Sequence, residues 1–129
     1  MSRERERERD GRRILRLADL VRERLAGVIR RELDDPQLSL LVVTRIKVSE
    51  DLSYIDVGTR FLGVDDEPQR QKLLTRLTRA AHRVRRALGT ELELRKTPEL
   101  RFHLDTGQDA ALRVDELLGE IAKEPKSED

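Results

Sequence analysis

Two adjacent segments with a period of two constrain the fold of this chain most strongly. In LLVVTRIKVSEDLSYIDVGTRFLG, which begins at Leu40, apolar and β-branched residues alternate with polar ones on both sides of the short link SEDLS. Such alternation is typical of strands with one buried face, and the short link predicts a hairpin. Arg45 and Lys47 fall on the outer face. The residues predicted to face inward are Val42, Thr44, Ile46 and Val48 in the first strand and Ile55, Val57, Thr59 and Phe61 in the second.

Apolar residues recur at helical spacing in two longer segments. The first helix is predicted over residues 12–33 and ends at DDP, because a proline disfavours helix in the residue before it. The second opens at DDEP, where acidic residues and Pro68 suit a first turn. We expect it to end at Gly89. Its predicted buried stripe consists of Leu73, Leu77, Ala80, Ala81, Val84, Ala87 and Leu88.

The element order predicts an α+β domain of two layers. The segment LELRKTPELRFHLD is predicted to be an edge strand or a bulge because Pro98 interrupts it, and residues 110–121 show a weaker helical pattern. Three strands cannot enclose a core, so helices must cover one face of the sheet. The length of 129 residues suits one domain. We place that domain at residues 12–122, between disordered charged tails at residues 1–11 and 123–129.

Several classes of function find no support in the sequence. There is no cysteine, which excludes disulfides and thiolate metal sites and fits a reducing cytoplasm. The charged N-terminus lacks the apolar stretch of a signal peptide, and no apolar run approaches the roughly 20 residues needed to span a bilayer. His82 and His103 lack metal-ligand spacing, and neither a glycine-rich phosphate loop nor a nucleophile motif occurs. We therefore expect a non-enzymatic cytoplasmic protein without cofactor or metal.

Positive charge is concentrated in one predicted helix. The net charge of the chain is +1, yet residues 68–89 contain seven lysines and arginines and no acid, which leaves −6 for the remainder. At 100° per residue, five of these side chains fall on one side of the helix. We call this set the basic ridge, and its members are Lys72, Arg76, Arg79, Arg83 and Arg86. Arg85 falls on a separate side.

The basic ridge has two interpretations, a solvated helix face or a surface for phosphate. Like charges at this spacing repel by about 0.2–0.5 kcal/mol per pair, and guanidinium groups suit phosphate oxygens, so nucleic acid is favoured. Aromatic residues make up only 2% of the chain, which favours contacts to the backbone and shape of structured RNA over base stacking. Two rivals remain: a general nucleic-acid-binding module, and a protein-interaction domain that meets an acidic partner. The candidate RNA-binding residues are Lys72, Arg76, Arg79, His82, Arg83, Arg85 and Arg86, with Arg45 and Lys47 as rim contacts.

Four segments taken together resemble the bacterial ribosome-binding factor A family. They are VIRRELDDPQL, VTRIKVSEDLSYIDVGTRFLG with its Val-Ser-x-Asp-Leu-Ser signature, LGTELELRKTPELRFHLD, and RVDELL. The resemblance covers about residues 17–118. It implies a type II KH-like domain of order α-β-β-α-kink-α-β, in which helices cover one face of a three-stranded sheet.

The resemblance also implies a function. Members of the family bind the small ribosomal subunit and its RNA and assist late maturation, including 5′-end processing, without catalysis of their own; several are linked to growth in the cold. A cytoplasmic monomer that a ribosome-assembly GTPase releases is the family expectation. The family marks its helix kink by Ala-x-Gly, and here Ala80, Ala81 and His82 stand at those positions. With histidine in place of glycine, we expect either a milder kink or one held by close packing of the alanines, and a further phosphate contact from His82.

Overall fold

The computed structural model describes residues 2–105, and in these the chain forms two layers in the order α-β-β-α-α-β. The elements are α1 (Ser2–Leu33), a 3-10 turn (Leu38–Leu40), β1 (Leu41–Val48), β2 (Tyr54–Phe61), α2 (Glu67–Arg79), α3 (Ala81–Glu91) and β3 (Glu99–Leu104). The predicted α+β fold with a kinked second helix is confirmed. The predicted terminal helix at 110–121, the motif RVDELL and the tail at 123–129 lie outside the described residues.

The three strands form one sheet in the order β1-β2-β3. β1 and β2 pair antiparallel as the predicted hairpin. β3 pairs parallel with β2, because α2 and α3 carry the chain back to the start of the sheet before it enters β3. Among residues 2–105, β3 is an edge strand, which is one of the two predicted alternatives. Pro98 stands immediately before it, where a missing N–H costs no ladder bond.

Within residues 2–105, one apolar core lies between the sheet and the three helices. α1 contributes Val21, Leu25, Val28 and Ile29; the strands contribute Ile46, Val48, Ile55, Val57, Leu100 and Phe102; α2 and α3 contribute Leu73, Leu77, Val84 and Leu88. Since every strand sends its buried residues to this one core, no helix among residues 2–105 covers the other face of the sheet, which we call the open face. This arrangement decides which charged residues share a surface.

A β-bulge at Thr44 corrects the predicted alternation in β1. Val43 pairs with Thr59 and Arg45 pairs with Gly58, so Thr44 is an extra residue that has no partner of its own. The extra residue reverses the alternation, and Val42 and Thr44 are exposed instead of buried. A Cβ at Gly58 would lie 2.8 Å from Thr44 Oγ1. Glycine opposite the bulge therefore gives both bulge side chains room on the open face.

The Val-Ser-x-Asp-Leu-Ser signature builds the hairpin turn. Asp51 Oδ1 accepts hydrogen bonds from the backbone N–H and the hydroxyl of Ser53, at 3.1 and 2.7 Å, and from the Ser49 hydroxyl at 2.9 Å. These donors lower the pKa of the Asp51 carboxyl, with the Ser53 hydroxyl the largest cause. Leu52 adopts a positive φ of 60° at the tip of the turn. The signature is thus a structural one that sets the register of β1 and β2.

Residues 2–11 differ from the predicted disordered tail, because α1 already begins at Ser2. Residues 3–10 are exposed, and the part of α1 that packs on the core begins at Ile14. Extending a helix that is already nucleated costs far less than starting one, and opposite charges three residues apart support the extension. A Cβ at Gly11 would meet nothing within 4 Å, so the glycine neither contacts a neighbour nor interrupts the helix.

Gly89 does not end the second helix, contrary to the prediction from the sequence; it lies inside α3, which continues to Glu91. Thr97 packs directly on it, and a Cβ at Gly89 would lie 2.1 Å from Thr97 Oγ1 and 3.3 Å from Thr97 Cβ. The turn instead comes at Glu93, which has a φ of 55°. The Leu94 N–H then bonds to the Gly89 carbonyl at 2.9 Å, a helix end of the Schellman type.

We expect Gly89→Ala to destabilise the domain by about 1–3 kcal/mol, because Thr97 must move to admit the methyl group. Urea unfolding followed by circular dichroism measures the change. The loss should be smaller when Gly89→Ala is made in a Thr97→Ala background, which removes the nearest oxygen.

Gly27→Ala is the matched control, since Gly27 is also helical and an added Cβ there would be 3.8 Å from its nearest neighbour, Arg31 Nη1. Helix propensity predicts a gain of up to about 1 kcal/mol at this site. Equal effects of the two alanines would contradict the packing role of Gly89.

Candidate nucleic-acid interface

α2 begins at a well-formed cap. Asp66 takes an extended conformation as the N-cap, and its carboxylate accepts from the Gln69 N–H at 3.0 Å. Pro68 lies in the first turn, as predicted. Arg70 is used locally, because it donates to the carbonyls of Val64 and Asp65 and pairs with Glu67. Positive charge available to a partner therefore starts further along the helix.

The helix breaks at Ala80, at the start of the tripeptide Ala80, Ala81, His82. Ala80 has φ −93° and ψ 4°, and its N–H bonds to the carbonyls of Arg76 and Leu77. Among residues 2–105 the only non-glycine residues with positive φ are Asp34, Leu52 and Glu93. The break thus needs no left-handed residue, and His82 stands without backbone strain in the first turn of α3, exposed to solvent.

The basic ridge occupies the solvent side of both helices. Lys72, Arg76 and Arg79 lie on α2, Arg83 and Arg86 lie on α3, and all five are exposed. Shallow clefts run beside the ridge at both ends: Lys72, Arg76 and Arg79 line one of about 580 Å³, and Arg83 and Arg86 line one of about 660 Å³ with residues of α1.

Only one member of the basic ridge is paired within the described part of the chain. Arg76 Nη1 lies 2.7 Å from Asp35 Oδ2, and its Nη2 donates to Gln37 Oε1 at 2.6 Å. No carboxylate among residues 3–105 comes within 4.0 Å of a side-chain nitrogen in the other four members, Lys72, Arg79, Arg83 and Arg86. These four cations have their hydrogen-bond donors available for an external anion.

The arginines of α1 that face α3 show the opposite arrangement. Arg24 and Arg31 both bond to the carboxylate of Glu91, the last residue of α3. The two guanidinium groups, Arg31 first, lower the pKa of Glu91. This ion triad links α1 to α3 and neutralises positive charge beside the ridge.

Two further predicted residues of α3 have separate surroundings. Arg85 is half-buried, away from the ridge, and its Nε donates to the Thr97 carbonyl at 2.8 Å. His82 is exposed and lies near Arg85 and Arg86 in a cleft between α3 and the loop that follows it. That loop also brings Arg95 and Lys96 to the same cleft. These two residues were not predicted from the sequence; the signal that could have identified them was an adjacent basic pair that begins four residues after the helix end.

Arg45 and Lys47 do not join this surface. Their neighbours Ile46 and Val48 point into the core, so both cations lie on the open face of the sheet, opposite the helices. Lys47 pairs in register with Asp56, and Arg45 has a buried Nε without a partner in residues 2–105. The structure therefore separates the predicted rim contacts from the ridge.

No residue arrangement in the described range suggests metal chemistry. Among residues 2–105 no three histidine, cysteine or acidic side chains group as metal ligands. His103 lies on the open face, where its Nε2 is 2.9 Å from Asp56 Oδ1.

No helix in the described part of the chain is both long and apolar enough to cross a membrane.

Comparisons with known proteins agree on one family. The family model for ribosome-binding factor A matches residues 13–118. A protein named ribosome-binding factor A from Hyphomonas neptunium is 41% identical over 109 residues, which is 82% of this chain and 81% of that protein.

Solved structures give the same result. The crystal structure of ribosome-binding factor A from Thermus thermophilus superposes with a TM-score of 0.60 at 28% identity and covers 70% of this chain and 94% of that one. A Thermus thermophilus homology model fitted into a cryo-EM map of a complex with the 30S subunit gives 0.57 at 31% identity, over 68% of this chain and 90% of that one.

The Glu91 triad predicts a dependence of stability on pH. In the folded state the pKa of Glu91 lies below its usual value of 4.5. The ion triad therefore stabilises the fold above pH 4.5, and this contribution is lost as the pH falls through the folded-state pKa. We expect Glu91→Gln to be less stable than the parent at pH 7 and the difference to shrink below pH 4.5.

Thermal unfolding of both proteins at pH 7 and pH 3 measures this difference. Glu93→Gln is the control at pH 7, since Glu93 has no ion-pair partner within 4.0 Å among residues 3–105, and its removal should leave the melting temperature nearly unchanged. A Glu91→Gln deficit that is equal at both pH values would contradict the role given to the triad.

Proposed function

The chain belongs to the ribosome-binding factor A family, and we propose that it binds the small ribosomal subunit by placing the basic ridge against the ribose-phosphate backbone of its RNA. The observation that carries the proposal is the set of four exposed ridge cations without a carboxylate partner in residues 3–105. Such a set repels itself until an anion binds. Phosphate oxygens accept the paired donors of guanidinium groups in a bidentate manner.

The proposed contact is to backbone and shape. The chain contains three aromatic residues. Phe61 and Phe102 are buried in the core, and the ring of Tyr54 is covered by the Arg101 guanidinium at 3.9 Å. None of the three aromatic side chains lines the clefts beside the basic ridge, where an unpaired base could stack. Recognition should then follow the spacing of phosphates in folded RNA.

The proposed role is to hold ribosomal RNA of the small subunit in an arrangement that precedes the mature one, and so to assist late maturation and 5′-end processing. The factor would act as a cytoplasmic monomer by binding alone, and a ribosome-assembly GTPase would release it. The names of the relatives and the fitted complex support the partner. The basic ridge supports the mode of contact, because binding the ribose-phosphate backbone of RNA requires positive charge and a matching shape but no reactive group.

Reversing two ridge charges should remove binding. In Arg79→Glu/Arg83→Glu, two charge-assisted contacts are lost, each worth about 1.5 kcal/mol or more. At 1.4 kcal/mol per tenfold, the affinity for small subunits should fall at least about 100-fold. Co-sedimentation with purified immature subunits on sucrose gradients measures this change, and the melting temperature should stay close to that of the parent because both side chains are exposed.

Lys47→Glu/Arg60→Glu is the matched control. It changes the net charge by the same amount at two exposed positions on the open face of the sheet. We expect it to retain most of the binding. If the control lost binding and the ridge variant kept it, the contact surface would be the open face and the proposal would be wrong.

A further inference from the structure

We propose that the cleft between α3 and the loop leading to β3 is a binding site for one phosphodiester group of RNA, held by Arg85, Arg86, Arg95 and Lys96. The inference rests on the proposed function and deepens it, since it assigns to the RNA a fixed anchoring point beyond the basic ridge. The cleft has a volume of about 380 Å³. Besides these four cations, its lining includes Gly89, Thr90 and Thr97.

Gly89 fixes the shape of the cleft. Because this residue has no side chain, Thr97 lies directly against α3, in the space that a Cβ would fill. The Leu94 N–H bonds to the Gly89 carbonyl at 2.9 Å, and Glu93 turns the chain with a positive φ of 55°. The loop is thereby folded back along the helix. This conformation brings Arg95 and Lys96 opposite the arginines of α3.

Arg85 is oriented before any ligand binds. Its Nε donates to the Thr97 carbonyl at 2.8 Å, and the side chain is half-buried. Neither terminal nitrogen of Arg85 makes a hydrogen bond within the described part of the chain. Because the guanidinium is anchored through Nε, its two terminal nitrogens keep a fixed direction. Little rotamer entropy is therefore lost when these donors bind a tetrahedral anion.

The charge of the cleft selects an anion. Four permanent cations line it, and none of its nine lining residues is acidic. The carboxylate of Glu91, which is nearby in sequence, is bound by Arg24 and Arg31 of α1. Cations held this close repel one another, and a phosphate relieves that repulsion while it accepts hydrogen bonds from several donors at once.

The position of the cleft identifies the phosphate as part of an RNA chain. Arg86 and Thr90 line both this cleft and the neighbouring one that contains Arg83. The cleft is therefore continuous with the α3 end of the basic ridge. A ribose-phosphate chain that follows the ridge reaches the cleft without a gap, whereas a free phosphate ion would gain nothing from this continuity.

Neutralising the loop cations tests the inference. In Arg95→Gln/Lys96→Gln both changes are at exposed positions, so the fold should persist, and the affinity for immature small subunits should fall about tenfold or more. Arg85→Lys keeps the charge but loses the anchored fork, and should weaken binding by at least about threefold. The control Lys47→Gln/Arg60→Gln removes the same charge from the open face and should change affinity by less than twofold.

The outcomes separate this inference from the proposed function. If Arg79→Glu/Arg83→Glu abolishes binding while Arg95→Gln/Lys96→Gln behaves like the open-face control, the cleft is not a site and the inference is wrong, although the ridge contact survives. If no ridge or cleft variant alters binding, the proposed function itself fails.

Amide NMR spectra of the full chain distinguish the sources of the anion. Titration with a short structured RNA should shift the Gly89, Thr90 and Thr97 amides at micromolar concentration, and inorganic phosphate should shift the same amides only at millimolar concentration, in excess of a sodium chloride control. Micromolar binding of inorganic phosphate would overturn the RNA assignment. An acidic peptide that shifts these amides as strongly as RNA would overturn it as well.

Discussion

Burial of one apolar stripe against the sheet determines which surface the charged side chains of α2 and α3 occupy. Leu73, Leu77, Val84 and Leu88 are fully buried on both sides of the helix break, and each contributes about 1.5–3 kcal/mol. Repulsion within the basic ridge costs only about 0.2–0.5 kcal/mol per pair, so packing easily holds the cations together on the outer side. The charged surface is thus a consequence of the core, and the fold tolerates its repulsion until an anion relieves it.

Among residues 3–105, ion pairs neutralise charge beside the ridge and at one of its five members, and they leave the other four members uncompensated. Glu91 binds two arginines of α1, and Arg76 is bound by Asp35 in the loop after that helix. Both contacts join α1 or its following loop to the kinked helix, so they strengthen the fold. The Glu91 contact reduces positive charge next to the ridge, and the Asp35 contact reduces it at Arg76 within the ridge. What remains is a row of available donors on α2 and α3 that ends in the cleft around Arg85, where backbone packing at Gly89 sets the geometry.

Periodicity predicted the elements well because it reflects burial. Most of the residues it predicted to face inward from the strands and from the second helix are in the core, namely Ile46, Val48, Ile55, Val57, Phe61, Leu73, Leu77, Val84 and Leu88. It could not predict the bulge at Thr44, because the sequence pattern assumes that every residue of a strand has a partner. The one extra residue turns the Val42 side chain from the core to the exposed face, although the strand still contains the same residues. Gly89 was wrongly predicted to be a helix end because its role depends on Thr97, a residue that only tertiary structure brings near. The predicted placement of the rim contacts failed for a similar reason. Arg45 is distant from the ridge in both sequence and space, and the charge of a residue does not indicate which face of the domain it occupies.

The salt dependence of binding tests the central claim most directly. The account holds that the four ridge cations without a carboxylate partner in residues 3–105 each contact a phosphate. Counterion release then predicts that the logarithm of the association constant for small subunits falls linearly with the logarithm of salt concentration, with a slope of about −3 to −4. Equilibrium binding of the parent protein to purified immature subunits across a range of potassium chloride concentrations measures that slope. A slope near zero would show that the ridge does not grip the RNA backbone and would contradict the account.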